Sequence, residues 1–155
     1  MKGTKGLQGL LDITEYYVRE LIVRENPAYK VKESYEGEVK ISYNIKRKGP
    51  ELLFRIDMTA QVGSPKKMAS AYPYYSSISL TGLFKFLGET DEDTIAKMIH
   101  LNGLSILYGI ARGIVSQATS TSIHGKYILP TINFIEVIKR QSTKKALKKK
   151  SKKKS

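Results

Sequence analysis

Two stretches of strict alternation flank a short Gly-Pro turn, and they constrain the fold more than any other feature of the chain. In residues 38–47, Val39, Ile41, Tyr43 and Ile45 fall on one side, and Lys40, Ser42, Asn44 and Lys46 on the other. In residues 51–62, Leu52, Phe54, Ile56, Met58, Ala60 and Val62 take one side, and Arg55, Asp57 and Thr59 the other. A strand turns successive side chains to opposite faces, so each run reads as a strand with one buried and one wet face. Lys48-Gly49-Pro50 between them predicts a turn, and the pair predicts an antiparallel hairpin. Gly63-Ser64-Pro65 is the next turn. Met68 to Leu87 then supplies Ile78, Leu80, Phe84 and Phe86 at period two, a further strand whose start is weakened by Pro73.

Beyond Gly88 the period changes. Asp91, Glu92 and Asp93 suit the positive end of a helix. Ile95, Met98, Ile99, Ile106, Ile110 and Ile114 follow at three-to-four spacing, which predicts one long helix to about Thr119. Residues 119–127 read as a loop. Asn133, with Glu136 three residues on, has the spacing of a capping box opening a short helix through Phe134, Val137 and Ile138. Residues 11–25 (LDITEYYVRELIVRE) fit a strand and a helix equally well, and Asn26-Pro27 breaks whichever forms. Strands first and helices after predict an α+β fold, an antiparallel sheet with helices on one face.

The chain of 155 residues is long enough for one domain and too short for two good cores. Its formal charge of +13 is unevenly spread. Residues 141–155 carry eight lysines and no acid, which leaves +5 for residues 1–140. The expected organisation is therefore a folded domain over 1–140 and a disordered Lys-rich tail over 141–155. Such a tail attracts polyanions, and RNA, ribosome surface, anionic lipid and acidic proteins are equally suitable.

Chemistry is sparse. With no cysteine, disulfides, thiolate nucleophiles and Cys-ligated metals are excluded. GxGxxG, GxxxxGK[ST], HExxH and GxSxG are all absent. His100 and His124 stand far apart, and Asp91, Glu92 and Asp93 read as a helix cap rather than a cation site. The expectation is a protein that is not an enzyme and has no cofactor. The N-terminus lacks an apolar stretch of signal-peptide length, because Asp12 and Glu15 interrupt it. The apolar segment Ile95–Ala118 contains Lys97, His100, Asn102, Arg112 and Gln117, which argue against a membrane span and for a cytoplasmic protein.

Two features bear on binding. Gly109 and Gly113 are four apart on the long helix, near Gly103, and let another backbone approach one face. That neighbour is either the chain's own sheet or a second subunit. Of the ten tyrosines, Tyr16, Tyr17, Tyr43, Tyr72, Tyr74 and Tyr75 lie in or beside strands, where they serve either sheet packing or a rigid, adaptable surface for extended peptides.

The segment from Leu104 to Ile138 resembles the C-terminal half of the protein-export chaperone SecB and its SecB-like relatives. The resemblance lies in Leu107, Tyr108, Ala111 and Arg112 on a helix, then Leu129-Pro130, then Asn133-Phe134 opening the last helix. Gly82-Leu83-Phe84-Lys85-Phe86 is similar to the family's end-of-sheet segment, and residues 11–27 to its first strand and Asn/Pro break. The resemblance spans roughly residues 10–140. It implies a four-stranded antiparallel sheet followed by a long and a short helix, assembled as a homotetramer, a dimer of dimers. The long helix then lies at an interface, with Gly109 and Gly113 there. It further implies an ATP-independent holdase whose clients are unfolded polypeptides, used in protein export or, in SecB-like relatives, for an antitoxin. The family's client groove maps onto Tyr29 and Tyr35 in the loop after the first strand, and onto Phe134, Ile135 and Ile138 at the last helix. Lys40, Lys46, Arg47 and Lys48 depart from the acidic surface by which SecB proteins bind the SecA motor, so docking to SecA in the usual way is in doubt. The competing reading is a nucleic-acid-associated basic protein that grips through its polylysine tail.

Overall fold

In a computed structural model, which describes residues 10–30, 38–49, 51–64 and 72–153, the chain forms a four-stranded antiparallel sheet followed by helices. The strands are β1 (Leu11–Glu25), β2 (Val39–Arg47), β3 (Leu53–Val62) and β4 (Tyr74–Phe86), in the order β1-β4-β3-β2. The hairpin of β2 and β3 has the register that the alternation predicts, with Val39 opposite Val62 and Arg47 opposite Phe54. Gly49 closes the turn at a φ of 65°, a conformation that a Cβ disfavours. One face of β3, Phe54, Ile56, Met58, Ala60 and Val62, is entirely buried.

β1 resolves the ambiguous segment as a strand. Its register against β4 shifts twice, between Ile13 and Glu15 and between Val18 and Glu20. Each shift adds a residue and breaks the period of two. Ile13, Tyr16, Val18, Leu21 and Val23 oppose Phe84, Gly82, Leu80, Ile78 and Ser76, and so share their face. The resulting spacing of three, two, three and two lies between strand and helix, which is why the sequence read both ways.

The helical run is interrupted as well. α1 (Glu92–Met98) passes through a π-helical turn at Ile99–Gly103 into α2 (Leu104–Thr119). Asp91 caps α1, its carboxylate accepting from the Thr94 amide at 2.8 Å, and Glu92 meets Arg47 at 2.7 Å. The acidic cluster is thus engaged at the cap and in an ion pair. The predicted apolar stripe is corrected past the π turn. Leu104, Leu107, Tyr108, Ala111 and Val115 take over the buried face, while Ile106, Ile110 and Ile114 sit half-buried on its flank. The wider π turn changes the phase of the residues after it.

α3 runs from Phe134 to Lys153. The short helix expected from sequence continues through the lysine-rich segment to Lys153 as one 20-residue helix. Lys, Ala and Leu are good helix formers. Propagation from an established turn is easier than nucleation, and Asn133 supplies that start, its Oδ1 accepting from the Ile135 and Glu136 amides. Lys150, Lys152 and Lys153 also complement the negative end of the helix dipole. The run Glu92–Thr119 is long and apolar enough to cross a bilayer by length and composition, but its apolarity serves the face packed on the sheet.

Candidate functional site

The residues that carry the resemblance to SecB form one architectural unit. Leu107 and Ala111 are fully buried beneath the sheet. The Tyr108 hydroxyl donates to the Pro130 carbonyl, and Arg112 Nε donates to the Leu129 carbonyl at 2.9 Å. The Tyr108 ring meets Phe134 edge-on, with centroids 5.5 Å apart. Burial pushes the Tyr108 hydroxyl pKa well up, so the phenol stays a donor at any ordinary pH. This set straps the segment before α3 to α2 and fixes where α3 leaves the core.

Thus anchored, α3 lies beside β2, an outer strand of the sheet. A groove of about 560 Å³ opens between them. Val39, Ile41, Tyr43 and Val137 give it an apolar part, and Lys40, Arg140, Lys144, Lys145 and Lys148 a basic one. The consecutive residues 38–43 all border it, so the edge of the strand faces the opening as well as either side. Gln141 Nε2 donates to the Tyr43 carbonyl at 3.3 Å, so a side chain occupies a backbone acceptor of β2. A smaller hollow of about 180 Å³ continues past Tyr43 to Ile45, His100 and Ile138. The Tyr43 and His100 rings meet edge-on at 6.2 Å, and burial raises the Tyr43 pKa.

The residues carried over from the family scatter around this geometry. Phe134 is buried, only 6% exposed, and belongs to the core. Ile138 is half-buried and lines the smaller hollow, and Ile135 is 53% exposed. Tyr29 lies elsewhere, its ring 4.8 Å from that of His124. That histidine packs near Tyr74 and reaches the Asn26 carbonyl at 3.1 Å. Asn26 in turn binds Tyr72 and Pro73 carbonyls, so the Asn-Pro break is a fixed corner. Tyr35 falls outside the described residues. Sequence reasoning missed Tyr43, Val137, Arg140 and Gln141 as groove residues. The signal for Tyr43 was its place on an alternating strand, but nothing in the pattern showed that this strand would be an edge.

The glycines separate into two kinds. A Cβ on Gly103 would stand 2.6 Å from Ile56, and one on Gly82 would stand 2.7 Å from Leu107. These permit close approach of helix and sheet. A Cβ on Gly109 or Gly113 would meet nothing within 4 Å, so their face does not pack on the chain's own sheet. On the same side of the sheet, Tyr16, Val18 and Leu21 of β1 are left 49%, 41% and 39% exposed.

The opposite face of the sheet is polar. The Thr81 hydroxyl donates to Asp57 at 2.6 Å, and Arg55 Nε donates to it at 3.2 Å, with Arg19 at 3.9 Å. Burial alone would push the Asp57 carboxyl up. The Thr81 and Arg55 hydrogen bonds and the charges of Arg55 and Arg19 outweigh it and hold the group below the ordinary carboxylate value.

The architecture has a counterpart among solved structures. An uncharacterised protein of Methanocaldococcus jannaschii is 28% identical over 145 residues, covering 87% of this chain and 90% of that one. Among solved structures, the Mycobacterium tuberculosis SecB-like chaperone Rv1957, in complex with a peptide from the HigA1 antitoxin, superposes with a TM-score of 0.56 at 13% identity. That match covers 79% of this chain and 91% of that one. A Streptococcus agalactiae protein of unknown function matches at a TM-score of 0.43 and 9% identity, over 78% of this chain and 97% of that one. The family model for preprotein translocase subunit SecB matches residues 5–145, nearly the whole chain, and the chain belongs to the SecB family.

Proposed function

We propose that this protein is a holdase: it binds extended or unfolded polypeptide by surface complementarity, without ATP and without catalysis. The observation that carries the reading is the groove between β2 and α3, where an edge strand, apolar side chains and open space meet. An unpaired strand edge is a template for an extended chain, main-chain hydrogen bonds giving affinity and alternate side chains giving selectivity. Val39, Ile41, Tyr43 and Val137 would take the client's apolar side chains, with Ile135 and Ile138 of α3 extending the surface. Phe134 serves the site by anchoring α3. Tyr29 is proposed as a secondary contact on the His124 corner.

The peptide held by the mycobacterial relative supports a polypeptide client, and an antitoxin is the client class that this relative suggests. Export remains the other use open to the family, in a cytoplasmic protein. Docking to SecA in the usual way is disfavoured by the basic solvent face. The working form is proposed to be a homotetramer. Gly109 and Gly113 offer an open backbone surface on α2, and Tyr16, Val18 and Leu21 an exposed apolar edge on β1.

The test is aggregation of a reduced, permanently unfolded protein, followed by light scattering with full-length chain and with a chain ending at residue 141. Both forms should suppress aggregation at stoichiometric ratio. Absence of suppression by the full chain contradicts the reading. Suppression lost with the lysines, together with tight nucleic-acid binding by the full chain alone, favours the nucleic-acid alternative.

A further inference from the structure

We infer that the groove between β2 and α3 selects acidic extended segments of polypeptide. This deepens the holdase reading and rests on it. Among the described residues, five cations border the groove, Lys40 on the β2 side and Arg140, Lys144, Lys145 and Lys148 on α3, against the one carboxylate of Glu38. Among the described residues none of the five is in an ion pair, whereas Lys139 on the same helix pairs with Glu136. Like charges gathered on one wall raise the local concentration of anions, and the low-dielectric strand beside them strengthens the effect.

The spacing suits a strand. Arg140, Lys144 and Lys148 succeed one another by four residues, a rise of about 6 Å per step along the helix. Alternate residues of an extended chain rise about 6.6–6.8 Å. Acids at every second position of a bound segment would therefore meet these cations in turn, while the intervening side chains face the apolar residues of β2. An entering strand takes over the Tyr43 carbonyl that Gln141 now occupies. A single-stranded nucleic acid fits less well, because it relies on aromatic platforms for successive bases. Among the described residues the aromatic lining this groove is Tyr43, whose ring is edge-on to His100.

The experiment is fluorescence anisotropy with the full chain and three labelled twelve-residue peptides. They alternate valine with glutamate, glutamine or lysine, and a labelled oligothymidine of similar length is measured beside them. The glutamate peptide should bind at least tenfold more tightly than the lysine peptide at low salt, with the glutamine peptide between. Lys144→Glu with Lys148→Glu should reverse the order, and Lys40→Glu on the opposite bank should weaken the preference. Lys149→Glu with Lys150→Glu, outside the groove lining, should leave it intact. Circular dichroism checks that each variant is folded. Equal binding of all three peptides overturns acid selection and leaves the holdase standing. A preference abolished equally by the Lys149 and Lys150 changes overturns it too, by showing a diffuse polycation. Oligothymidine bound more tightly than the glutamate peptide, and lost with the groove lysines, gives the groove to nucleic acid. Failure of every peptide to bind, together with failure to suppress aggregation, removes the holdase and with it this inference.

Discussion

The two outer strands of the sheet are managed in opposite ways. β1 is long, 15 residues, twice bulged, and leaves Tyr16, Val18 and Leu21 exposed on the face that elsewhere carries the helices. β2 is short, nine residues, regular in register, and stands beside a basic helix that leaves a groove open. Exposed strand edges invite pairing, and bulges, charge and covering elements are the usual defences. β1 has the bulges but keeps its apolar side chains, which suits a second copy of the same chain. β2 has the charge and the nearby helix, which suit the foreign chain of chosen sign proposed above. The difference lies in which chain each edge is proposed to receive.

The largest expected effect breaks the β2 side. Phe134 holds the start of α3 against Tyr108, and Phe134→Ala should cost about 3–5 kcal/mol in a denaturant titration, as deletion of a buried Phe does. Client affinity should fall with it, because the groove loses one wall. A loss below about 1 kcal/mol would mean that α3 is held by something else. Next come the glycines, which separate the inner from the outer surface of the helical layer. Gly82→Ala forces a methyl against Leu107 and should cost about 1–3 kcal/mol. Gly109→Leu with Gly113→Leu meets open space within the subunit, so the fold should hold while the assembled mass falls in sedimentation. An unchanged mass would remove α2 from the interface.

A smaller effect belongs to the polar face that joins the two edges. Asp57 has its pKa lowered in the folded state, so its contribution is present above the unfolded carboxylate value and is lost as pH falls through the folded one. Asp57→Asn should lower stability by less than about 1 kcal/mol at neutral pH, and the gap between wild type and variant should close in melts taken toward pH 3. A gap independent of pH would assign the effect to packing. The smallest effect is at the end of α3. Ending the chain at residue 142 should shift Tm by no more than about 2 °C, a change of roughly 0.5 kcal/mol, because the lysines beyond it are exposed. A larger drop would show that the helix end supports the core.

The sheet and its hairpin were legible because a period of two survives in sequence whenever one face is buried. Phe54 to Val62 and Val39 to Ile45 show it directly. β1 was not, since its two bulges shift the phase within one strand, and only pairing with β4 decides it. The π turn hid the true core face of α2 for the same reason: a phase change leaves no residue-type signature at Ile99–Gly103 beyond a glycine. The groove was the least legible part. It depends on strand order, which makes β2 an edge, and on α3 running past residue 141, where a lysine-rich composition looked too charged to fold. Phe134 was recognised as important, but its burial gives it to the frame of the site.

Amide hydrogen exchange of the full chain, with and without a saturating unfolded acidic polypeptide, addresses both edges at once. The account predicts new protection over Val39–Arg47 and the first half of α3, with Leu11–Glu25 unchanged by the client. Protection appearing along β1 while β2 stays as it was would contradict it.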